Sequence, residues 1–89
     1  MSEQFRRGWW GWVRSSDGFD VRLLGRTDLQ YRDASSVLHV SAEAMSKPRS
    51  DIVVYASTIP DTPARPKAQV MERIERAFAW RGWGLSLGD

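Results

Sequence analysis

The stretch that decides the fold of this chain runs from Asp51 to Leu87 and reads DIVVYASTIPDTPARPKAQVMERIERAFAWRGWGLSL. Its opening residues, 52–56, are apolar on both faces, which is typical of a strand with neighbours on both sides. Three prolines then stiffen a loop, and the last of them, Pro66, suits the first turn of a helix. The spacing predicts a helix from about Pro66 to Arg81, ended by Gly82 and followed by a short final strand.

The predicted helix carries one continuous apolar stripe. Apolar residues recur along it at intervals of three and four, which places them on one side of a helix with 3.6 residues per turn. We expect this side to face the core. The stripe consists of Val70, Met71, Ile74, Ala77 and Phe78.

The first half of the chain is a series of short strand signals separated by turns. Asp17-Gly18 is a strong hairpin signal, because glycine tolerates the positive φ of tight turns. Residues 45–50 form a break that contains Pro48. The coarse order is β-β-β-β-β-α-β in a single domain, residues 1–89. The predicted strands of this half are Trp9 to Ser15, Phe19 to Leu23, Leu29 to Arg32 and Val37 to Glu43.

The predicted fold class is α+β, with a mainly antiparallel sheet of about five to six strands. One C-terminal helix packs on one face of this sheet, and a short final strand follows it. A single helix covers only part of such a sheet, so the remaining face is either exposed to solvent or used for contact.

Composition excludes several classes of protein. The chain of 89 residues is 42% hydrophobic and 27% charged, which is ordinary for a globular protein and argues against disorder. With no cysteine and one histidine, His39, neither a disulfide nor a metal centre is expected, and no cofactor is predicted. The N-terminal residues lead into no apolar run long enough for a signal peptide or a membrane span. We therefore expect a cytoplasmic protein without membrane contact.

Nothing in the sequence has the pattern of a catalytic site. His39 and Glu43 share a strand face but lie too far apart along an extended chain to form an acid–base pair. The serines fall at turns and strand ends, without a nucleophile elbow, and the glycines form no loop that could cradle phosphate. We expect a protein that is not an enzyme and has no small-molecule substrate.

The segment RRGWWGWVR, from Arg6 to Arg14, mixes cations with aromatic rings. One interpretation is a platform for single-stranded nucleic acid, in which bases stack on the rings and arginines contact phosphates. Another is that Trp10 and Trp12 pack under the helix. The third is a protein interface, and for this we select Arg6, Arg7 and Trp9 as candidate partner-binding residues, since Trp and Arg dominate interface hot spots.

A second candidate group lies on the helix beside its apolar stripe. Arg73, Arg76 and Trp80 share one side of the helix and could form an edge that binds a partner. Alternatively, the two arginines are a solvated surface and Trp80 folds onto the margin of the sheet.

The residues from 51 to 87 also match the pattern of a known family. A strand ending in V-Y-x-S-[ST]-I leads through a proline loop to a helix of the type E-R-I-x-x-A-[FL], a glycine turn and a last strand. In this respect the chain resembles the small immunity proteins of bacterial polymorphic-toxin and contact-dependent growth inhibition systems. The matching residues are Val54, Tyr55, Ser57, Thr58, Ile59, Pro63, Glu72, Arg73, Ile74, Ala77, Phe78, Arg81, Gly82 and Leu85.

The resemblance implies a cytoplasmic protein that binds and neutralises one cognate toxin domain, often a nuclease, through protein–protein contact. The alternative is a small single-stranded nucleic acid-binding module that uses an Arg/Trp face of its sheet. The net charge of +2 and the pI near 9.5 give only a small basic excess, so nucleic acid is the less expected partner. A homodimer formed through an exposed sheet face or edge is a further expectation.

Overall fold

The computed structural model describes residues 3–25, 27–34, 36–44 and 51–88. Two short 3-10 helices, Trp9–Gly11 and Ala56–Thr58, interrupt the regular elements. The strands and the helix are β1 (Phe5–Arg7), β2 (Val13–Ser15), β3 (Phe19–Leu24), β4 (Asp28–Asp33), β5 (Val37–Ala44), β6 (Asp51–Tyr55), α1 (Lys67–Arg81) and β7 (Gly84–Gly88).

The described strands form one seven-stranded sheet whose spatial order is the order of the sequence, β1 to β7. Each of the first five pairings is antiparallel, and β6 pairs with β7 in parallel. Parallel neighbours need a crossover connection, and α1 supplies it. The predicted α+β class and the mainly antiparallel sheet are confirmed, with one strand more than the expected maximum. The break predicted at residues 45–50 lies outside the described residues.

The additional strand comes from the N-terminal segment, where the prediction of one strand from Trp9 to Ser15 is wrong. Trp10 has φ 60° and ψ 31°, and Gly11 has φ 81°, so the backbone is left-handed at two successive positions. Extended pairing cannot pass through such residues. The chain folds back instead, so that β1 and β2 form a hairpin around residues 8–12.

The core lies between the sheet and the helix. Alternate strand residues point towards α1 and are buried against the predicted apolar stripe of the helix. Within that stripe, Met71 is partly exposed and the other four residues are buried. Gly82 ends the helix at φ 79°, and its N–H reaches the last carbonyl groups, as predicted. The buried apolar residues of this core are Val13, Phe19, Val21, Leu29, Tyr31, Val40, Ala42, Ala44, Ile52, Val54, Ile59, Val70, Ile74, Ala77 and Phe78.

The proline loop before α1 is held to the sheet by one arginine. Arg65 donates from Nη2 to Asp33 Oδ1 at 2.7 Å and from Nε to Asp33 Oδ2 at 3.2 Å. Both side chains are largely buried, at 11% and 10% exposure, so this pair is little screened by solvent. The N–H of Lys67 is bound at 3.0 Å by the Asp61 carboxylate, which therefore caps the start of the helix. The loop thus fixes where α1 begins.

Candidate functional site

The sheet face turned away from α1 carries a row of charged residues across its first four strands. Arg6 on β1 lies opposite Arg14 on β2, Arg14 opposite Asp20 on β3, and Asp20 opposite Arg32 on β4. Asp20 accepts hydrogen bonds from Arg32 Nε at 2.8 Å and Nη2 at 2.5 Å, and Arg14 Nε lies 3.5 Å from its other oxygen. We call this surface of β1–β4 the outer face. Asp20 neutralises the middle of the row, whereas Arg6 stands at its end.

Trp12 is covered by arginines of the outer face. Its side chain is only 7% exposed, and the guanidinium carbons of Arg22 and Arg32 lie 4.4 and 4.0 Å from its ring centroid. Such cation–π contacts contribute about 0.5–2 kcal/mol each. The prediction that Trp12 packs under the helix is wrong, because Trp12 sits at the end of the hairpin loop, from where it reaches the outer face.

The loop between β1 and β2 presents two adjacent tryptophans to solvent. Trp9 and Trp10 are each 82% exposed, so the prediction that Trp10 packs under the helix is also wrong. The loop is nevertheless fixed, since Gly8 N–H donates to Trp12 O at 2.7 Å and Trp12 N–H to Trp9 O at 3.2 Å. Arg22 Nη1 also donates to Trp10 O at 3.3 Å. We call residues 8–12 the Trp turn; its backbone hydrogen bonds hold Trp10 in a conformation that bulky residues rarely adopt.

A second polar network positions Arg22. Its Nε donates to Gln30 Oε1 at 2.7 Å, and Gln30 is itself almost completely buried. The Gln30 amide contacts Asp28 and His39 at 3.4 Å, while His39 Nδ1 lies 3.3 Å from Asp28 Oδ1. His39 therefore pairs with an acid on the neighbouring strand and not with Glu43, which shares its own strand. This network orients an arginine; it has no nucleophile.

The predicted helix group of Arg73, Arg76 and Trp80 binds other parts of the same molecule. Arg73 Nη1 donates to the Tyr31 hydroxyl at 2.8 Å, and its guanidinium lies over the ring of Phe19 at 5.2 Å. Trp80 stacks on the ring of Phe5 at a centroid distance of 5.9 Å. Trp80 therefore folds onto the margin of the sheet, as the alternative interpretation of this group expected.

Arg76 joins the helix to the N-terminal part of the chain. Its Nη1 donates to Glu3 Oε1 at 2.8 Å and to Asp17 Oδ2 at 3.1 Å, and its Nη2 lies 3.7 Å from Glu72. The side chain is part-buried, so a partner would have to compete with three carboxylates of the chain itself. That the helix group binds a partner stays a prediction.

Tyr31 is the buried titratable group beneath this helix surface. Its hydroxyl donates to Asp33 Oδ2 at 2.9 Å and accepts from Arg73. Burial raises the pKa of Tyr31 above its ordinary value of 10.0, and the hydrogen bond from Arg73 opposes that rise. The phenol therefore stays protonated throughout the physiological range and acts as a structural link.

The other predicted group, Arg6, Arg7 and Trp9, is divided between two faces. Successive residues of a strand point to opposite sides, so Arg6 lies on the outer face with Arg14, while Arg7, opposite Val13, lies on the helix side. Arg14 belongs to the segment that was singled out for its cations and aromatic rings, but neither it nor Arg22 and Arg32 was selected as a candidate partner-binding residue. The alternation of β3 did place Arg22 opposite its apolar residues, but the strand register that brings the three arginines together could not be inferred.

Comparison with protein-family models, with curated proteins and with solved structures gave no match. Among the residues described, no three His, Cys, Asp or Glu side chains are grouped so that they could hold a metal ion. In the same residues, no helix has the length and apolar character needed to cross a membrane. A functional proposal therefore depends on the geometry of the Trp turn and the outer face.

Proposed function

We propose that this chain is an immunity protein that binds and neutralises a cognate bacterial toxin domain by protein–protein contact. The observation that carries the proposal is the Trp turn. Two adjacent tryptophans, Trp9 and Trp10, lie almost fully exposed, although Trp side chains contribute most when they are removed from water. Trp is also the residue type most enriched among the hot spots of protein interfaces.

The fixed backbone of the Trp turn supports the same function. Flexible side chains and loops lose conformational entropy when they are ordered at an interface, and this loss reduces affinity. Here the loop is already closed by its two backbone hydrogen bonds and by Arg22. The backbone that carries the two rings is therefore ordered before binding, which lowers the entropy cost of recognition.

The surroundings of the turn match the anatomy of an interface. Hot-spot aromatic residues are usually bordered by polar groups that exclude water and fix orientation. The outer face provides such a border, with Arg14, Arg22 and Arg32 held in place by acids, by Gln30 and by the ring of Trp12. The resemblance of residues 51–87 to immunity proteins points to a toxin domain as the partner.

We predict that the gene immediately upstream encodes a large secreted protein with a variable C-terminal domain, and the test is co-expression of the chain with that domain. The wild-type chain is expected to restore growth of a bacterial host that produces this domain.

A Trp9→Ala/Trp10→Ala double variant should weaken binding by at least about 30-fold, the loss of a single hot spot, without a fall in thermal stability. Leu87→Ala is the matched control, because Leu87 on β7 is also exposed, at 63%, but lies far from the turn in the strand order.

Two outcomes would count against the proposal in different ways. Full affinity in the folded double variant would show that the Trp turn is not the contact. Failure of the wild-type chain to protect the host, or the absence of a toxin gene upstream, would contradict the immunity function itself.

A second candidate function is the binding of single-stranded nucleic acid, which the arginines of the outer face favour. Two observations oppose it. The ring of Trp12 is already covered by Arg22 and Arg32 and is not free to stack on a base. Asp20 and Asp28 also lie on the same face and would repel a phosphate backbone that followed it.

A further inference from the structure

An open pocket of about 320 Å³ lies where β1 and β2 meet, lined in part by Phe5, Arg6, Arg14 and Ser16. We infer that this pocket is a carboxylate-binding site, and that it receives an Asp or Glu side chain of the protein that the Trp turn contacts. The identity of that protein as a toxin rests on the proposed function, whereas the chemistry of the pocket does not.

Two like charges face each other across β1 and β2. Arg6 and Arg14 are directly opposite each other on neighbouring strands, an arrangement that destabilises a sheet. Arg14 is drawn towards Asp20 on its other side, at 3.5 Å. Within the described residues, no acidic side chain forms a salt bridge with Arg6. An anion placed between the two guanidinium groups would remove the repulsion and pair Arg6.

The pocket is lined by several hydrogen-bond donors. Each guanidinium presents several N–H groups in a planar fork that matches a carboxylate. Ser16 adds a hydroxyl group, whose oxygen already accepts from Gln4 N–H at 2.9 Å. Because that oxygen is engaged as an acceptor, the hydroxyl proton remains available to donate into the pocket.

The Arg14 side chain connects the pocket to the Trp turn. A Cβ atom built on Gly8 would lie 2.8 Å from Cδ of Arg14, so the stem of Arg14 runs directly along the first residue of the turn. A protein surface that covers Trp9 and Trp10 needs to extend only along the Arg14 side chain to reach the pocket. Aromatic anchors and a charged contact would belong to one interface.

A carboxylate fits the surface better than a chain of phosphates. The outer faces of β1–β4 carry four arginines but also two aspartates, and Asp20 lies immediately beyond Arg14 in the row. A nucleic acid strand long enough to use all the arginines would pass over both aspartates. A single carboxylate in the pocket meets Arg6 and Arg14 and does not reach Asp28; the nearby Asp20 is already paired with Arg14 and Arg32.

The experiment uses two variants that differ by one position. Arg6→Gln and Arg7→Gln remove the same charge from the same strand, but Arg6 faces the pocket and Arg7 faces the helix side. Binding of poly-L-glutamate is measured for both by calorimetry at low salt, with (dT)20 and inorganic phosphate as competing anions. We expect Arg6→Gln to weaken poly-L-glutamate binding roughly tenfold, the loss of one charge-assisted contact, and Arg7→Gln less than about twofold.

The carboxylate site would be contradicted if the two variants lost the same affinity for poly-L-glutamate, or if the wild-type chain did not bind it. It would also be contradicted if Arg6→Gln lowered the affinity for (dT)20 more than the affinity for poly-L-glutamate. The thermal melting temperature of Arg6→Gln should stay equal or rise, because the substitution relieves repulsion, so loss of fold will not imitate loss of binding. If Arg6→Gln weakens the binding of poly-L-glutamate as expected but the wild-type chain does not protect a host against the toxin domain, the carboxylate site is supported and the immunity function is contradicted.

Discussion

At the scale of single residues, Trp10 shows how this chain departs from local preference. A left-handed backbone costs about 1–3 kcal/mol for a residue with a bulky side chain, and Trp10 gains no burial in return. Glycine would adopt the same φ without that cost. A residue that is both strained and exposed does not improve stability, so we interpret Trp10 as a residue whose role is to contact the binding partner.

Replacing Trp10 by glycine should therefore separate stability from binding. Trp10→Gly is expected to raise the free energy of unfolding by about 0.5–1.5 kcal/mol, as strain is relieved, while affinity for the partner falls. Urea denaturation measures the first quantity and calorimetry the second. Trp9→Gly is the control, because Trp9 is not left-handed and should lose about 0.5–1 kcal/mol to the greater chain entropy of glycine. A loss of stability in both variants would contradict the assignment of strain.

Tyr31 predicts the behaviour of the protein in alkali. Its folded pKa is raised above the unfolded value of 10.0, so the unfolded chain releases the phenolic proton first. The stabilising contribution of Tyr31 is complete below the unfolded pKa and is lost as the pH rises through the folded pKa. Denaturant midpoints between about pH 7 and pH 11 should fall more steeply above pH 10 for the wild-type chain than for Tyr31→Phe.

Tyr31→Phe should also lose about 1–3 kcal/mol near neutral pH, because Asp33 and Arg73 each lose a partner at the hydroxyl. If the denaturant midpoints of the two proteins fall in parallel from pH 7 to pH 11, Tyr31 does not cause the loss of stability in alkali.

At the scale of elements, α1 is the main support of the sheet. Ile74 and Phe78, both in its apolar stripe, are almost completely buried. Ile74→Ala and Phe78→Ala should each lower the free energy of unfolding by roughly 2–5 kcal/mol, through lost burial and the cavity that remains. Glu75→Ala, on an exposed position of the same helix, should change it by less than about 0.5 kcal/mol. Losses below about 1 kcal/mol in the first two variants would mean that the stripe does not face the core.

The elements also show which features could be predicted from the sequence. The helix, its glycine cap and the strands β3 to β6 follow from signals contained within a few residues. The Trp turn does not, because nothing local favours a left-handed tryptophan; the pairing of β1 with β2 forces it. The arrangement of the arginines on the outer face could not be predicted from the sequence either. Alternation assigns Arg22 to a face, but the stacking of Arg22 and Arg32 on Trp12 depends on the register between strands.

At the scale of the whole molecule, the two ends of the chain are joined through the helix. α1 contacts β2 and β3 near the beginning of the sheet and β7 at its end, which curls the sheet around the helix. Arg76 reaches Glu3 and Asp17, and Trp80 stacks on Phe5. The hairpin that carries the Trp turn is thus anchored to the last third of the chain, so the candidate binding surface is not an independent arm.

The sequential strand order has a consequence for how the chain folds. Each strand from β1 to β5 pairs with the next one along the chain, so the relative contact order of these pairings is low and each closes a short loop. The parallel pairing of β6 with β7 differs, because it spans the proline loop and the whole of α1. A ribosome releases β7 last, after the other strands have already emerged. We therefore expect a meander that assembles progressively during synthesis and a final, slower step in which the C-terminal strand docks at the edge.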